Sequence, residues 1–326
     1  MCMYEKKIIS VTPDLIQQIL PARLASSRKG DNGIVLVVGG SGIYHGAPLL
    51  SSLSALRSGV DLVYTAVPES NIATIRSFSP NIIALPFAND EFTIGSAKHL
   101  LKMLPKKPHV VAIGMGMNIA NSNSLIYIIK ELKKIGSKLL LDASALVPEI
   151  LEDISGTNTI VTPHLGEYKR LFQKEQDHDN DKMIDAMATT ATTTTALKEQ
   201  ALNVYSIAKK YGITIILKGY YDIICSGSYP QDRQQQKYIA VIKRTTPAMT
   251  VGGCGDVLSG VVAGLLTKMS DAFSASITGV YLTGMAGGLA YQRVGLHMVA
   301  TDLIEQLPNV MKQFDKTVSE SEPSVV

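Results

Sequence analysis

Two hydrophobic rhythms alternate along the chain. Short continuous apolar runs predict buried strands, and longer stretches with apolar residues three and four apart predict amphipathic helices. Thr12-Pro13-Asp14 opens the first helix, with Thr12 as cap and Pro13 in the first helical position. Leu15, Ile16, Ile19 and Leu20 give that helix its apolar face. Ile34 to Val38 predicts a strand buried on both faces, closed by Gly39-Gly40-Ser41-Gly42. Strands are predicted again over Leu62–Val67, Asn81–Leu85, His109–Ile113, Lys138–Leu141 and Thr159–Val161. Helices are predicted over Pro48–Ser58, Ile72–Phe78, Ser96–Leu104 and Leu125–Ile135.

From Gln173 to Ala196 the rhythm lapses into acidic residues and a threonine run, which predicts a polar surface insertion. It resumes with a helix over Leu197–Tyr211 and a strand over Thr214–Leu217. Tyr221–Cys225 and Tyr238–Ile242 predict an antiparallel pair joined by a loop over Gly227–Gln236. Ala272–Gln292 is free of charge but rich in Ser, Thr and Gly, so it reads as a core helix rather than a membrane span. A last helix is expected from Thr301, and the tail from Lys316 is expected to be loose. Strands alternating with helices indicate an α/β fold with a mostly parallel sheet covered on both faces. Ligands of such sheets bind at the carboxyl ends of the strands. Gly39-Gly40, Gly114 and Gly116, Asp142 and His164 are all predicted at such ends.

The densest chemistry lies in Thr250-Val251-Gly252-Gly253-Cys254-Gly255-Asp256. The apolar helical run Val257, Leu258, Val261, Val262, Leu265 and Leu266 follows it. Glycines allow positive φ and close backbone approach. Loop amides running into a helix start converge on one point, and the helix dipole adds positive potential there. That is an anion hole suited to nucleotide phosphates. A carboxylate repels phosphate, so Asp256 suits a different task, taking the proton from a hydroxyl. The plainer alternative makes Asp256 a helix N-cap.

Length and composition narrow the function classes. The 326 residues suffice for one large domain, and 46% hydrophobic residues can fill a large core. The net charge is only +3 with no long basic run, which argues against nucleic-acid binding. Cys2, Cys225 and Cys254 form no CxxC pair and no metal-ligand spacing. So sparse a set fits a reducing, cytoplasmic setting. No long apolar run follows the N-terminus, so no signal peptide or membrane anchor is expected. Residues 1–33 form a lead-in, 34–312 a single domain and 313–326 a flexible tail.

An ordered set of short motifs then resembles one family. The set is Ile34–Gly40, Gly46-Ala47-Pro48, Leu56-Arg57-Ser58-Gly59, Gly114-Met115-Gly116, Asp142-Ala143-Ser144-Ala145-Leu146, Thr162-Pro163-His164-Leu165-Gly166-Glu167, Lys218-Gly219, Gly252-Gly253-Cys254-Gly255-Asp256 and Ala300-Thr301-Asp302-Leu303. Each is weak alone; their number, order and spacing together are similar to the NAD(P)H-hydrate dehydratases, enzymes of ribokinase-like fold. The resemblance runs from about Ile34 to Leu307. It implies removal of water from the S-epimer of hydrated NADH or NADPH, driven by ADP or ATP with Mg²⁺. Phosphoryl transfer to the ring hydroxyl would precede expulsion of phosphate by the ring nitrogen. Carried onto this chain, the resemblance makes Asp256 the base. Lys218, Gly219, Tyr220, Tyr221, Asp222, Gly252, Gly253, Cys254 and Gly255 become nucleotide-binding. Ala47, Gly116, His164 and Asp256 become substrate-binding.

Plainer roles stand beside these. Lys218 can be a strand-end charge paired with a carboxylate, His164 a local hydrogen-bonding group, and Gly116 a strand terminator. Glu167 is read as a helix cap rather than a Mg²⁺ ligand. Cys254 is read as an amide donor with an incidental thiol, since no His or Asn partner is identifiable. Ser144 stands where many relatives carry a second acid or Gly, so no metal role is assigned around Asp142. Too few residues precede Ile34 for the epimerase domain that often accompanies the family, so another chain is expected to supply it. A homo-oligomer is also expected. The absence of a Walker sequence leaves nothing to read a third phosphate. ADP is therefore the expected donor, in keeping with the prokaryotic look of Thr162–Glu167. The competing reading is a ribokinase-like kinase acting on a hydroxymethyl group of a vitamin precursor, with a non-catalytic nucleotide sensor third.

Overall fold

The structure is a computed structural model that describes residues 8–173, 194–227 and 238–318. In chain order its principal elements are α1 (Pro13–Ile19), β1 (Arg23–Leu24), β2 (Ile34–Val38), α2 (Gly46–Arg57), β3 (Leu62–Pro68), α3 (Ile72–Phe78), β4 (Ile83–Phe87), α4 (Ile94–Met103), β5 (Val110–Ile113) and α5 (Ser122–Lys134). There follow β6 (Lys138–Leu141), α6 (Leu151–Ile154), β7 (Ile160–Val161), α7 (Leu165–Leu171), α8 (Thr194–Tyr211), β8 (Thr214–Leu217), β9 (Tyr221–Ser226) and β10 (Tyr238–Lys243). The chain closes with α9 (Cys254–Lys268), α10 (Ala272–Val294), α11 (Ala300–Met311) and β11 (Thr317–Val318).

Nine strands form one sheet in the order β10-β9-β8-β7-β6-β5-β2-β3-β4. Strands β2 to β8 run parallel, and β9 is antiparallel to both β8 and β10. From β2 the chain builds outward through β3 and β4, then returns to the other side of β2 with β5. The strand order therefore reverses between β2 and β5, where an open α/β sheet leaves a crevice for ligand.

Side-chain alternation divides the core. Val35, Val37, Val110 and Ala112 join the residues of α9, α10 and α11 on one face. Ile34, Leu36, Val38, Val111 and Ile113 join those of α4, α5 and α8 on the other. Successive strand residues point to opposite faces, so a run apolar at every position is what a doubly covered strand requires. Helix α9 is the most deeply buried, with Cys254 and every residue from Val257 to Leu266 inside. It lies directly on α2. A side chain at Gly260 would collide with the Ser51 carbonyl and the Ser54 hydroxyl, so only glycine allows the two backbones to come so close.

Three expectations need adjustment. Helix α8 already runs from Thr194, inside the stretch expected to be polar insertion, and the rest of that stretch beyond Gln173 lies outside the described residues. The loop expected over 227–236 lies outside them as well, save Gly227. The tail is not loose at its start: Thr317–Val318 pairs in parallel with Arg23–Leu24, and the Lys316 ammonium donates to the Gln17 carbonyl at 2.5 Å. Elsewhere helices begin up to three residues earlier than the apolar pattern, because caps such as Thr93 and Asn121 are polar and carry no periodic signal. No helix among the described residues is long and apolar enough to cross a membrane.

Candidate active site

The loops after β2 and β5 meet at the strand-order reversal. The Gly40 amide donates to the Met115 carbonyl at 2.9 Å. Gly116 adopts φ +63°, and a Cβ built on it would stand 2.7 Å from Tyr44 Cβ and 3.1 Å from Ala47 Cβ. Ala47 and Gly116, far apart in the chain, are thus neighbours in one wall. The wall is braced by the Asn71 side-chain amide, which donates to the Ser41 carbonyl at 2.8 Å, and by the Gly42 amide, which donates to the Asp90 carboxylate. Ile43 and Tyr44 are left exposed on its rim.

The start of α9 is where an anion hole is expected. Gly253 caps the helix at φ +94°, in the left-handed region that favours glycine. A Cβ on Gly252 would meet nothing within 4 Å, so open space lies beside the turn at that residue. The Cys254 amide is turned back to the Val251 carbonyl at 3.4 Å and is engaged in the turn. The amides of Gly252, Gly253, Gly255 and Asp256 have no acceptor among the described residues. They sit at the positive end of a 15-residue helix whose dipole favours an anion. Cys254 is buried, and burial pushes its thiol up to about 11, against the pull of the Arg244 charge. The neutral thiol is no nucleophile.

Asp256 carries the last of these amides, in the first turn of α9. The Ser51 hydroxyl on α2 donates to its backbone carbonyl at 2.8 Å, tying the helix start to the helix that carries Ala47. Burial pushes the Asp256 carboxyl up to about 7; the Asp142 carboxylate adds to the rise, Lys218 opposes it, and Glu167 adds again. A carboxyl poised there can accept a proton at neutral pH and release it again.

Lys218 is held as its plainer role required. Its ammonium donates to Asp142 Oδ1 at 2.9 Å and lies 3.9 Å from Glu167 Oε2. It also lies 3.4 Å from where a Cβ on Gly255 would be, against the first turn of α9. Burial disfavours its charge, but Asp142 and Glu167 outweigh burial and hold the ammonium protonated. Gly219 and Tyr220 form the turn between β8 and β9, Tyr221 and Asp222 open β9, and the Gly219 amide donates to Asp222 Oδ1 at 2.9 Å. Burial lifts the Asp222 carboxyl to about 6 although that amide, Arg244 and Lys218 hold it down. Tyr220 is exposed, packs edge-on against Tyr221 and has the Lys243 ammonium 5.4 Å from its ring centroid.

His164 caps α7. Its Nδ1 accepts from the Gly166 and Glu167 amides at 3.0 and 3.3 Å, and Glu167 accepts from the His164 amide at 2.8 Å. This reciprocal capping box bears out the reading of Glu167 as a cap. The backbones of His164 and Lys218 form a parallel bridge, and the Glu167 carboxylate lies 3.4 Å from His164 Nε2 and 3.9 Å from the Lys218 ammonium.

Two partners escaped the sequence reading. Asp142 was given no role, yet it is buried and accepts from Lys218 and, at 2.7 Å, from the Ser259 hydroxyl. Ser259 lies three residues after Asp256 on the same helix face, a spacing that could have signalled it. Among the described residues no group of three or more His, Cys, Asp or Glu could hold a metal ion. Asp142 and Glu167 are both directed at Lys218, so these two carboxylates are not a preassembled pair of Mg²⁺ ligands.

Comparison with known proteins gives the family. The chain is 44% identical over 307 residues to the ADP-dependent (S)-NAD(P)H-hydrate dehydratase of Nitrosopumilus maritimus, covering 94% of this chain and 98% of that protein. It is 43% identical to the protein of the same name from Cenarchaeum symbiosum, covering 93% and 96%. The Bacillus subtilis ADP/ATP-dependent NAD(P)H-hydrate dehydratase, co-crystallised with ATP and Mg²⁺, shares the fold. It aligns with a TM-score of 0.73 at 24% identity, over 93% of this chain and 98% of that one. The model of the NAD(P)H-hydrate dehydratase family matches residues 35–309, a span that takes in the wall of Ala47 and Gly116, the anion hole and Asp256, and the chain belongs to that family.

Proposed function

We propose that the protein removes water from the S-epimer of hydrated NADH or NADPH, using ADP as phosphoryl donor. The observation that carries the reading is Asp256. It is a carboxyl lifted to about 7, placed directly after free amides at a helix start and tied to the helix that carries Ala47. Asp256 takes the proton of the ring hydroxyl as that oxygen attacks the terminal phosphorus. The bond from phosphorus to the departing AMP oxygen breaks, and the new phosphoester carries the former hydroxyl as a leaving group. The ring nitrogen lone pair then expels phosphate, and loss of the adjacent ring proton restores the double bond. The products are NAD(P)H, AMP and phosphate.

The amides of Gly252, Gly253, Gly255 and Asp256 serve the transferring phosphoryl group, where catalysis is mostly positioning and charge stabilisation. Ala47 and Gly116 serve as the wall for the hydrated ring, and His164 is assigned to the same substrate. Lys218 to Asp222 form the donor side, with the Lys218 charge beneath the phosphates. Mg²⁺ bound with the donor nucleotide would supply charge neutralisation at its phosphates, beside the Lys218 ammonium. The names of the Nitrosopumilus and Cenarchaeum proteins support ADP over ATP.

The test is to incubate the protein with hydrated NADH, Mg²⁺ and either ADP or ATP, and to follow the absorbance of the reduced ring. Recovery with release of one phosphate per ring is expected, with the higher kcat/KM for ADP. A stable phosphoester without recovery would indicate a kinase instead. Higher kcat/KM for ATP would overturn the donor and leave the reaction standing.

A further inference from the structure

Asp142 is a fully buried acid that the proton transfer above does not use. It stands immediately after β6, where the chain turns through Ala143 at φ +48°, a left-handed conformation unusual for a residue with a side chain. That turn lets Asp142 Oδ1 accept from the Ala143 amide at 2.9 Å. It also brings the Asp142 carbonyl into the space a side chain on Gly114 would fill. Strain held this way persists where the surroundings over-determine it, and it clusters at functional sites. The remaining acceptor positions take Lys218 Nζ at 2.9 Å and the Ser259 hydroxyl at 2.7 Å. One carboxylate therefore links the ends of β6 and β8 to the buried side of α9, one turn from Asp256.

A buried ion pair gains little stability over apolar residues of the same volume. This one lies at the carboxyl edge of the sheet, and its ammonium touches the first turn of the helix that forms the anion hole.

We propose that Asp142 is a positioning residue: with Ser259 it pins the Lys218 ammonium beneath the first turn of α9, so that the base and the phosphate-binding amides work beside one fixed positive charge. The proposal rests on the phosphoryl-transfer reading of the site. The charged groups that face Asp256 are Asp142 from the end of β6, Lys218 from the end of β8 and Glu167 from α7. After burial, Asp142 is the strongest influence on Asp256 and Lys218 the next, with opposite sign. Removing the Asp142 charge takes away the larger of these two influences and so lowers the Asp256 midpoint.

The experiment is a carbon-13 carboxyl NMR titration of the whole chain, with the Asp256 resonance assigned through Asp256→Asn. In Asp142→Asn the Asp256 midpoint is expected to fall by about one pH unit from its value near 7. An unmoved midpoint overturns the proposal. A second variant, Lys218→Arg, keeps the charge but replaces a compact ammonium with a planar fork that the socket does not match. It is expected to leave the Asp256 midpoint in place and to lower kcat about tenfold. Full kcat in Lys218→Arg overturns the proposal even if Asp142→Asn does not fold. The titration needs no turnover, so an unsubstituted protein inactive on hydrated NADH would refute the dehydratase reading separately.

Discussion

Gly252 and Gly253 are adjacent, yet alanine should fail at each for a different reason. At Gly253 the backbone sits at φ +94°, which costs a residue with a Cβ about 1–2 kcal/mol. The new Cβ would also lie 2.6 Å from Leu50 Cδ1 and 2.8 Å from Ala300 Cβ. Ordinary carbon contacts begin near 3.5 Å, so α2 or α11 must give way by most of an ångström, at about 1–2 kcal/mol of overpacking. The sum is about 2–4 kcal/mol. At about 2.1 cal/mol/K per residue over 326 residues, the unfolding entropy is about 0.7 kcal/mol/K, so Tm should fall by about 3–6 °C. The same shift misaligns the amides at the start of α9, and loss of one such donor is worth about 10²–10³ in kcat. At Gly252 a Cβ meets nothing within 4 Å. Gly252→Ala should therefore melt with the unsubstituted protein and raise the KM for ADP, because the methyl stands in the space the donor phosphates enter. Differential scanning calorimetry and the hydrate-repair assay separate the two. Equal melting of Gly253→Ala and the unsubstituted protein would refute the steric argument. An unchanged KM for ADP in Gly252→Ala would refute the placement of the phosphates.

Asp256→Asn should lower kcat by about 10²–10⁴, the usual weight of a general base. The unsubstituted enzyme should gain kcat/KM as pH rises through about 7, because the base acts in its ionised form. The same group costs stability as pH rises from 3.8 toward 7, since the folded state holds its proton more tightly than the unfolded chain. Asp256→Asn should consequently raise Tm more at pH 8 than at pH 5, and a Tm gain independent of pH would contradict this. Cys254→Ser should retain kcat within about threefold, and iodoacetamide should label Cys254 slowly at pH 7.5, because a thiol pushed up to about 11 is neutral there. Rapid labelling accompanied by loss of activity would make the thiol a participant.

The alternation of apolar runs and amphipathic stretches determined the α/β class and most elements. A strand apolar at every position, such as Ile34–Val38, has no stable home except between two layers. The glycine cluster before an apolar helix likewise announced a helix start with free amides and Asp256 in its first turn, because helix-start amides and the dipole are local consequences of the chain. Local signals end there. The reversal of strand order that makes the crevice depends on where β5 docks, and nothing within Val110–Ile113 encodes its neighbour. The contact of Gly116 with Ala47 and the close approach of α2 to Gly260 follow from that docking. So does the engagement of the Cys254 amide with Val251, a matter of turn geometry rather than composition. Lys218 and Asp142 are 76 positions apart and Asp142 and Ser259 are 117 apart. Their pairing, and the lift of the Asp256 carboxyl that burial and Asp142 produce, exist only once β6, β8 and α9 are packed together. A carboxyl's proton affinity depends on solvent exclusion and on charges brought near through space. Both are properties of the folded chain alone.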